Sequence, residues 1–296
     1  MNDIYSKACS RLNVLRLLKH SLDRTSLEKL YFGFIRPILE YGNLIWDNCT
    51  NEESDLIESV QYEAARIVTG MRRGTSRLKL YNELGWDSLR ERRKKQKLIF
   101  VYKSLNGYLP SYISEHIISC INTDDNYNIR NPRFFNIPRS NTESYKNSFF
   151  PSALHLWNNL DQTMQNVTSL ALFKKKLNEN IVKPPGHFSL GPRKLNVILC
   201  QLRNETSNLN HHLFRSHLSE SSQCACGYDI EDSYHYFYIC PLFAQERATL
   251  FYELRGYHQL PILEFLLSGS TDLSPGENTD VVNSVLQYIH DTKRFE

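Results

Sequence analysis

The residues best placed to do chemistry lie in "CACGYDIEDSYHYFYICP", residues 224–241, where three of the seven cysteines and one histidine fall close together. The order is Cys224, one residue, Cys226, eight residues, His235, four residues, Cys240. Zinc takes four soft or borderline ligands in a tetrahedron, and a closed shell of three thiolates and one imidazole leaves no position for substrate, so the spacing points to a structural zinc site. The His-to-Cys interval matches that of nucleic-acid-binding zinc knuckles, whereas the Cys-x-Cys pair is tighter than their two-residue gap. Gly227 suits the turn a chain makes around a metal. The alternative is a pair of free thiols, a solvated or core histidine, and a Cys240 that behaves as a small apolar residue. If zinc binds, an energy on the order of 10 kcal/mol is coupled to folding of a segment with few apolar residues of its own. Cys9, Cys49, Cys120 and Cys200 are scattered and read as structural, and His211, His212 and His217 read as exposed side chains rather than a second site.

A second kind of chemistry is written in "RERRKKQK", residues 90–97, with six cations against one carboxylate. On a helix, Arg90, Arg92, Arg93, Lys94, Lys95 and Lys97 ring most of the circumference, and such a cluster neutralises phosphates without reading sequence. A solvated helix start or a nuclear localisation patch explains it equally simply. Two smaller clusters, 71–74 and 174–176, read as ordinary surface. No catalytic constellation assembles. Asp124 and Asp125 lie in "INTDDNYN", a polar turn rather than a hairpin between apolar strands. There is no phosphate-binding glycine loop, Gly-x-Ser-x-Gly elbow or metalloprotease helix motif, so the catalytic set is empty.

The elements that must position these residues read as helices. Ile4, Ala8, Leu12, Leu15 and Leu18 form one apolar stripe. Thr25 with Glu28 fits a capping box ahead of a buried helix that Pro37 is expected to kink or split. Thr50 with Glu53 fits a second box, opening a helix that stops at Gly70. A shorter helix over 76–84 closes on Gly85, and Ser88 with Glu91 opens the basic helix, which turns apolar in "LIFVY" before Asn106 and Gly107. Texture then changes to Asn, Pro, Arg and aromatics over 119–150, with helices expected at 151–160 and 168–180, and "KPPGHFSLGPRK" marks a further boundary. The cysteine cluster is flanked by expected helices at 194–203 and 241–254. The expected fold is mainly α: a helical bundle over 1–118, an extended arm with two helices over 119–192, and a C-terminal helical region with the zinc module over 193–296.

Bulk numbers agree with a folded protein: 296 residues, 41% hydrophobic and 23% charged. No apolar run is long enough to span a bilayer, and the first residues do not read as a secretory signal. The chain is therefore expected inside the cell, in nucleus or cytoplasm, away from membranes, with reduced thiols. Net charge is +3, but residues 1–110 hold 19 Lys plus Arg against 13 Asp plus Glu, while the remainder holds 16 against 19. The N-terminal surplus favours a polyanionic partner.

Three blocks in order resemble the C-terminal part of a non-LTR (LINE-type, jockey-like) retrotransposon reverse transcriptase. The first runs from "KACSRLNVLRLLKH" through "LEKLYFGFIRPILEYGNLIWDN" to "LIESVQYEAARIVTG" and resembles the helical thumb. The second is "LGWDSLRERRKKQKLIFVYKSLNGYLP", and the third runs from "FFPSALHLWNNL" to "FKKKL". The closing "LRNETSNLNHHLFRSHLSESSQCACGYDIEDSYHYFYICPLFAQER" is similar to the family's terminal Cys/His module. The resemblance implies an RNA-directed DNA polymerase whose thumb and tail grip RNA and primed DNA. It puts Cys224, Cys226, His235 and Cys240 in the metal-ligand positions, and RNA, DNA and other polypeptides of the element among the partners. Magnesium belongs only to the full polymerase, whose palm, with its aromatic-x-Asp-Asp box, is not in this sequence. The expectation is a nucleic-acid-binding remnant or gene-model fragment that does not polymerise alone. A partial polymerase completed by a separate palm chain and a helical interaction scaffold are the alternatives.

Overall fold

In a computed structural model of the chain, the described residues are 1–121, 134–257 and 262–296, so Asp124 and Asp125 lie outside them. The described residues are mainly helical, and their only β-type pairing is an isolated antiparallel bridge between Ile121 and Phe135. Two compact units form. One comprises Met1–Cys9, Ile35–Gln61 and Trp86–Val182; the other comprises Ser10–Phe34, Tyr62–Gly85 and Lys183–Glu296.

Helix starts and stops follow local chemistry. Thr50 and Glu53 cap each other reciprocally, backbone N–H to side chain, at 3.2 and 3.1 Å, and the Asn51–Thr69 helix follows. Ser76 and Ser88 accept the Lys79 and Glu91 amides at the starts of Arg77–Leu84 and Leu89–Leu105. Gly70, at φ +72°, ends the first of these helices in a conformation that strains any residue with a Cβ. The expected box at Thr25 and Glu28 does not form. The helix Arg24–Leu30 begins two residues earlier, after Asp23, and the Glu28 carboxylate accepts instead from the buried Arg24 guanidinium at 3.2 Å.

Pro37 has the expected consequence: Arg24–Leu30 passes through a π-helical turn, Tyr31–Ile35, into the α-helix Arg36–Glu40. Burial along this rod is narrower than its apolar sequence indicates. Leu27, Tyr31, Ile35 and Leu39 are buried, but Phe34 is 60% exposed. The wider π turn keeps residues four apart on one face, so the intervening apolar positions turn outward.

In the first unit the apolar half of Leu89–Leu105 is the centre of the core. Leu98, Val101 and Tyr102 pack with Ala153, Leu154 and Trp157 of Phe149–Asn158 and Phe173 of Leu170–Leu177. The Tyr102 ring stacks on Phe173 at 4.6 Å, and its hydroxyl donates to the Val167 carbonyl at 2.9 Å, so the large ring is buried without an orphaned polar atom. Asn158 pins the chain at Phe135, accepting from its N–H and donating to its carbonyl, both at 2.8 Å.

In the second unit Arg193–Arg203, Ala244–Leu254 and Leu263–Ser268 pack on the long helix Pro275–Asp291, whose Ser274 and Glu277 form a full capping box. A buried polar network ties distant segments together. Glu83 accepts from Arg24 at 2.8 Å, from Arg203 at 2.6 Å and from Asn204 at 3.0 Å. Arg193 donates to the carbonyls of Ile67 and Val68, each at 2.7 Å, closing the C-terminal turn of Asn51–Thr69. Beside this network Cys200 is fully buried, and desolvation pushes its thiol up to about 12, which suits a structural residue.

Candidate metal centre

The 222–231 segment folds back on itself. The Gly227 amide donates to Cys224 O at 2.9 Å, the Cys224 amide to Tyr228 O at 2.8 Å and the Glu231 amide to Ser222 O at 2.8 Å. Gly227 stands at φ +93°, a backbone that only glycine adopts freely, so the turn that brings the Cys224 and Cys226 side chains to one side depends on it. The other two candidate ligands bracket a π-helical turn, His235–Ile239. The Asp232 carboxylate accepts the His235 amide at 2.7 Å, and the Cys240 amide donates to His235 O at 2.8 Å.

These two devices bring Cys224, Cys226, His235 and Cys240 together, with one ligand atom of each within 4.8 Å of all the others. Two edges of the cluster fit a tetrahedron. Zn–S bonds of about 2.3 Å and Zn–N bonds of about 2.0–2.1 Å set sulfur–sulfur edges of about 3.8 Å and sulfur–nitrogen edges of about 3.5 Å. Cys224 Sγ lies 3.8 Å from Cys240 Sγ, and Cys226 Sγ lies 3.4 Å from His235 Nε2. At 3.8 Å the sulfurs are far beyond the roughly 2 Å of a disulfide, and all seven cysteines are free. The cluster could bind a metal such as zinc.

The surroundings orient the donors. Tyr228 stacks on the His235 ring at 4.6 Å and 15°, fixing its plane, while Nδ1 is buried with no hydrogen-bond partner among the described residues. Arg294 grips Glu231 with two nitrogens, at 2.6 and 2.5 Å, and Glu231 Oε1 stands 3.8 Å from Cys224 Sγ. Burial pushes the Cys224 thiol up to about 12 and raises Cys240, whereas Cys226 is held low. Burial also acts upward on Cys226, but the Tyr228 amide and the two neighbouring thiols outweigh it. Burial lowers His235, keeping it in the neutral form a metal requires. A divalent cation would undo the rise at Cys224 and Cys240 and reinforce the low Cys226, by stabilising every thiolate at once.

The segment is less bare than its composition implies. Tyr236 and Phe237, between His235 and Cys240, are fully buried in the core with Val281, Val285 and Tyr288. The Tyr236 hydroxyl bonds Thr292 at 2.7 Å, and the Tyr288 hydroxyl donates to Tyr236 O at 2.7 Å. The centre is thus rooted in a helical core rather than standing as a free module. His212 departs from expectation too. It is 3% exposed, its Nδ1 lies 2.8 Å from Ser207 Oγ, and burial pushes it down to about 4.

The basic helix sorts its charges by face. Arg92 pairs with Glu40, and Lys95 with Asp87 and Asn178. Arg93 donates to Asp47 at 2.5 Å and Ser54 at 2.6 Å, and Lys97 meets the same Asp47 and donates to Ser152 at 2.7 Å. Lys94 pairs with Glu91, and Arg90 is exposed with no ion-pair partner among the described residues. Sequence reasoning missed Asp47, Glu231 and Arg294, whose partners are distant in sequence, and Asp232, which accepts from His235 three residues on. It could have found 90, 93, 94 and 97, since that i, i+3, i+4, i+7 spacing is one helical face.

Among the described residues no helix is long and apolar enough to cross a membrane. Comparison with protein-family models, with curated proteins and with solved structures returns no match for the chain.

Proposed function

We propose that this chain is a nucleic-acid-binding polypeptide of reverse-transcriptase type, and that a structural zinc ion closes its Cys224, Cys226, His235 and Cys240 set. The supporting observation is convergence: the four positions that the ordered blocks assign to metal meet with tetrahedral edges, although they span seventeen positions, 224 to 240. A closed shell of four protein donors holds an ion for stability and leaves no coordination site for a substrate, so the zinc shapes a binding surface and does not act on a bond. RNA or DNA is the partner that the N-terminal cationic surplus favours. The test is RNA and duplex affinity measured from low to moderate salt, alongside elemental analysis. The expected result is about one zinc per chain and affinity that falls steeply with salt. Salt-independent affinity, or metal-free protein of unchanged stability after Cys226→Ser, contradicts the reading.

A further inference from the structure

We infer that the first unit carries a nucleotide-binding pocket on the face of the basic helix that bears Arg90, Arg93, Lys94 and Lys97. The four residues line one half-open cavity of about 690 Å³, joined from Glu143–Asn147 by Lys146. That volume lies within the range of small-ligand sites, about 300–1,000 Å³. Its lining holds these five cations and a single carboxylate, Asp47.

The floor carries the argument. Arg93 and Lys97 are each 4% exposed, and they share Asp47 as their one anionic partner among the described residues. Their remaining contacts, Ser54, Ser152 and the Trp46 ring 5.4 Å from the guanidinium, carry no full negative charge. Two desolvated cations against one carboxylate leave about one uncompensated positive charge, which a buried site tolerates poorly until an anion joins it. Higher in the cavity, Lys94 and Lys146 pair with Glu91 and Glu143, whose side chains are 51% and 74% exposed. Such surface pairs are weak and exchange readily for a phosphate. Arg90, exposed in the same lining, has no ion-pair partner among the described residues.

The apolar part of the lining decides what accompanies the phosphate. Ile137, Pro138, Pro151 and Leu156 present apolar surface beside His155. Buried cations and apolar side chains lining one cavity match a molecule with one phosphate and one flat ring, which is a nucleotide. The ligand is either a free nucleoside monophosphate or the 5′-phosphorylated end of a strand; both present the same chemistry. The inference rests on the nucleic-acid reading only for the strand-end source.

The test is calorimetric titration of the full chain with AMP, adenosine, inorganic phosphate, and a trinucleotide with and without a 5′-phosphate. AMP or the phosphorylated trinucleotide is expected to bind, adenosine and the unphosphorylated trinucleotide not to, and phosphate alone to bind more weakly than AMP. Binding of AMP identifies the free nucleotide as a source, and binding of the trinucleotide identifies the strand end. Arg90→Ala/Lys94→Ala removes two exposed donors and is expected to weaken binding by about tenfold or more. Lys174→Ala/Lys175→Ala, the same charge loss at exposed positions outside the cavity lining, is expected to leave it unchanged. No binding of either phosphorylated ligand, or equal binding by the two variants, overturns the pocket. Long RNA that still binds in that case leaves the nucleic-acid reading standing on another surface. Nucleotide binding without RNA binding upholds the pocket and removes that reading.

Discussion

Around Cys224, Cys226, His235 and Cys240, four electron-pair donors crowd within 4.8 Å of one another, whereas around Asp47 two buried cations share one carboxylate. The first site is short of positive charge and the second is short of negative charge. They also differ in access. The Cys/His donors close a tetrahedron among themselves, seated on Tyr236 and Phe237, so an ion there completes the fold. The basic cavity stays half open with an apolar wall, so an anion there is a visitor. Unbalanced charge in a closed shell implies structure, and unbalanced charge in an open cavity implies binding.

The largest way to break the comparison is to remove a ligand. Cys240→Ser is expected to abolish stoichiometric zinc and lower unfolding stability by about 4 kcal/mol or more, read by elemental analysis and urea denaturation. Because the centre is rooted in the Tyr236, Phe237 and Tyr288 cluster, helical circular dichroism should survive at low denaturant. Its global loss would mean the core depends on the ion.

Next comes Asp47→Asn, which leaves Arg93 and Lys97 buried without a carboxylate. Stability should drop by about 3 kcal/mol, and millimolar AMP should recover part of it through preferential binding to the native state. A neutral outcome would show that the cavity floor is already solvated, and the contrast between the two sites would vanish.

A third effect depends on pH and belongs to the unit that holds the Cys/His cluster but not to the cluster itself. His212 is held at about 4, below the ordinary 6.5, because burial disfavours its cation. The native state therefore binds this proton less readily than the unfolded chain does. The stability from its burial is complete above about pH 6.5 and is lost as pH falls toward about 4, by at most about 3 kcal/mol. His212→Asn should flatten the urea midpoint across that window, whereas a profile identical to the parent protein would assign the acid sensitivity to other groups.

The smallest effect is a control for charge. Thr50→Ala removes the side-chain acceptor of the Glu53 amide and should cost about 1 kcal/mol in urea denaturation. Neither zinc content nor AMP affinity should change.

The sequence by itself determined the helical class, the caps at Thr50 and Ser88 and the break at Pro37, since each rests on residues within about a turn or two of one another, and it singled out the four Cys/His positions that cluster although they span 224 to 240. Local spacing also held the 90, 93, 94, 97 face, which a count of net charge alone obscured. Only the tertiary structure decided that Glu28 serves Arg24 rather than a cap, that His212 is buried, and that Phe34 faces outward. It also decided that Asp47 lies beneath two cations some fifty positions away. The physical reason is range. Backbone hydrogen bonds and turn conformations are settled by neighbours in the chain, whereas burial, and the cost of a charge without its partner, are settled by whatever segment packs alongside.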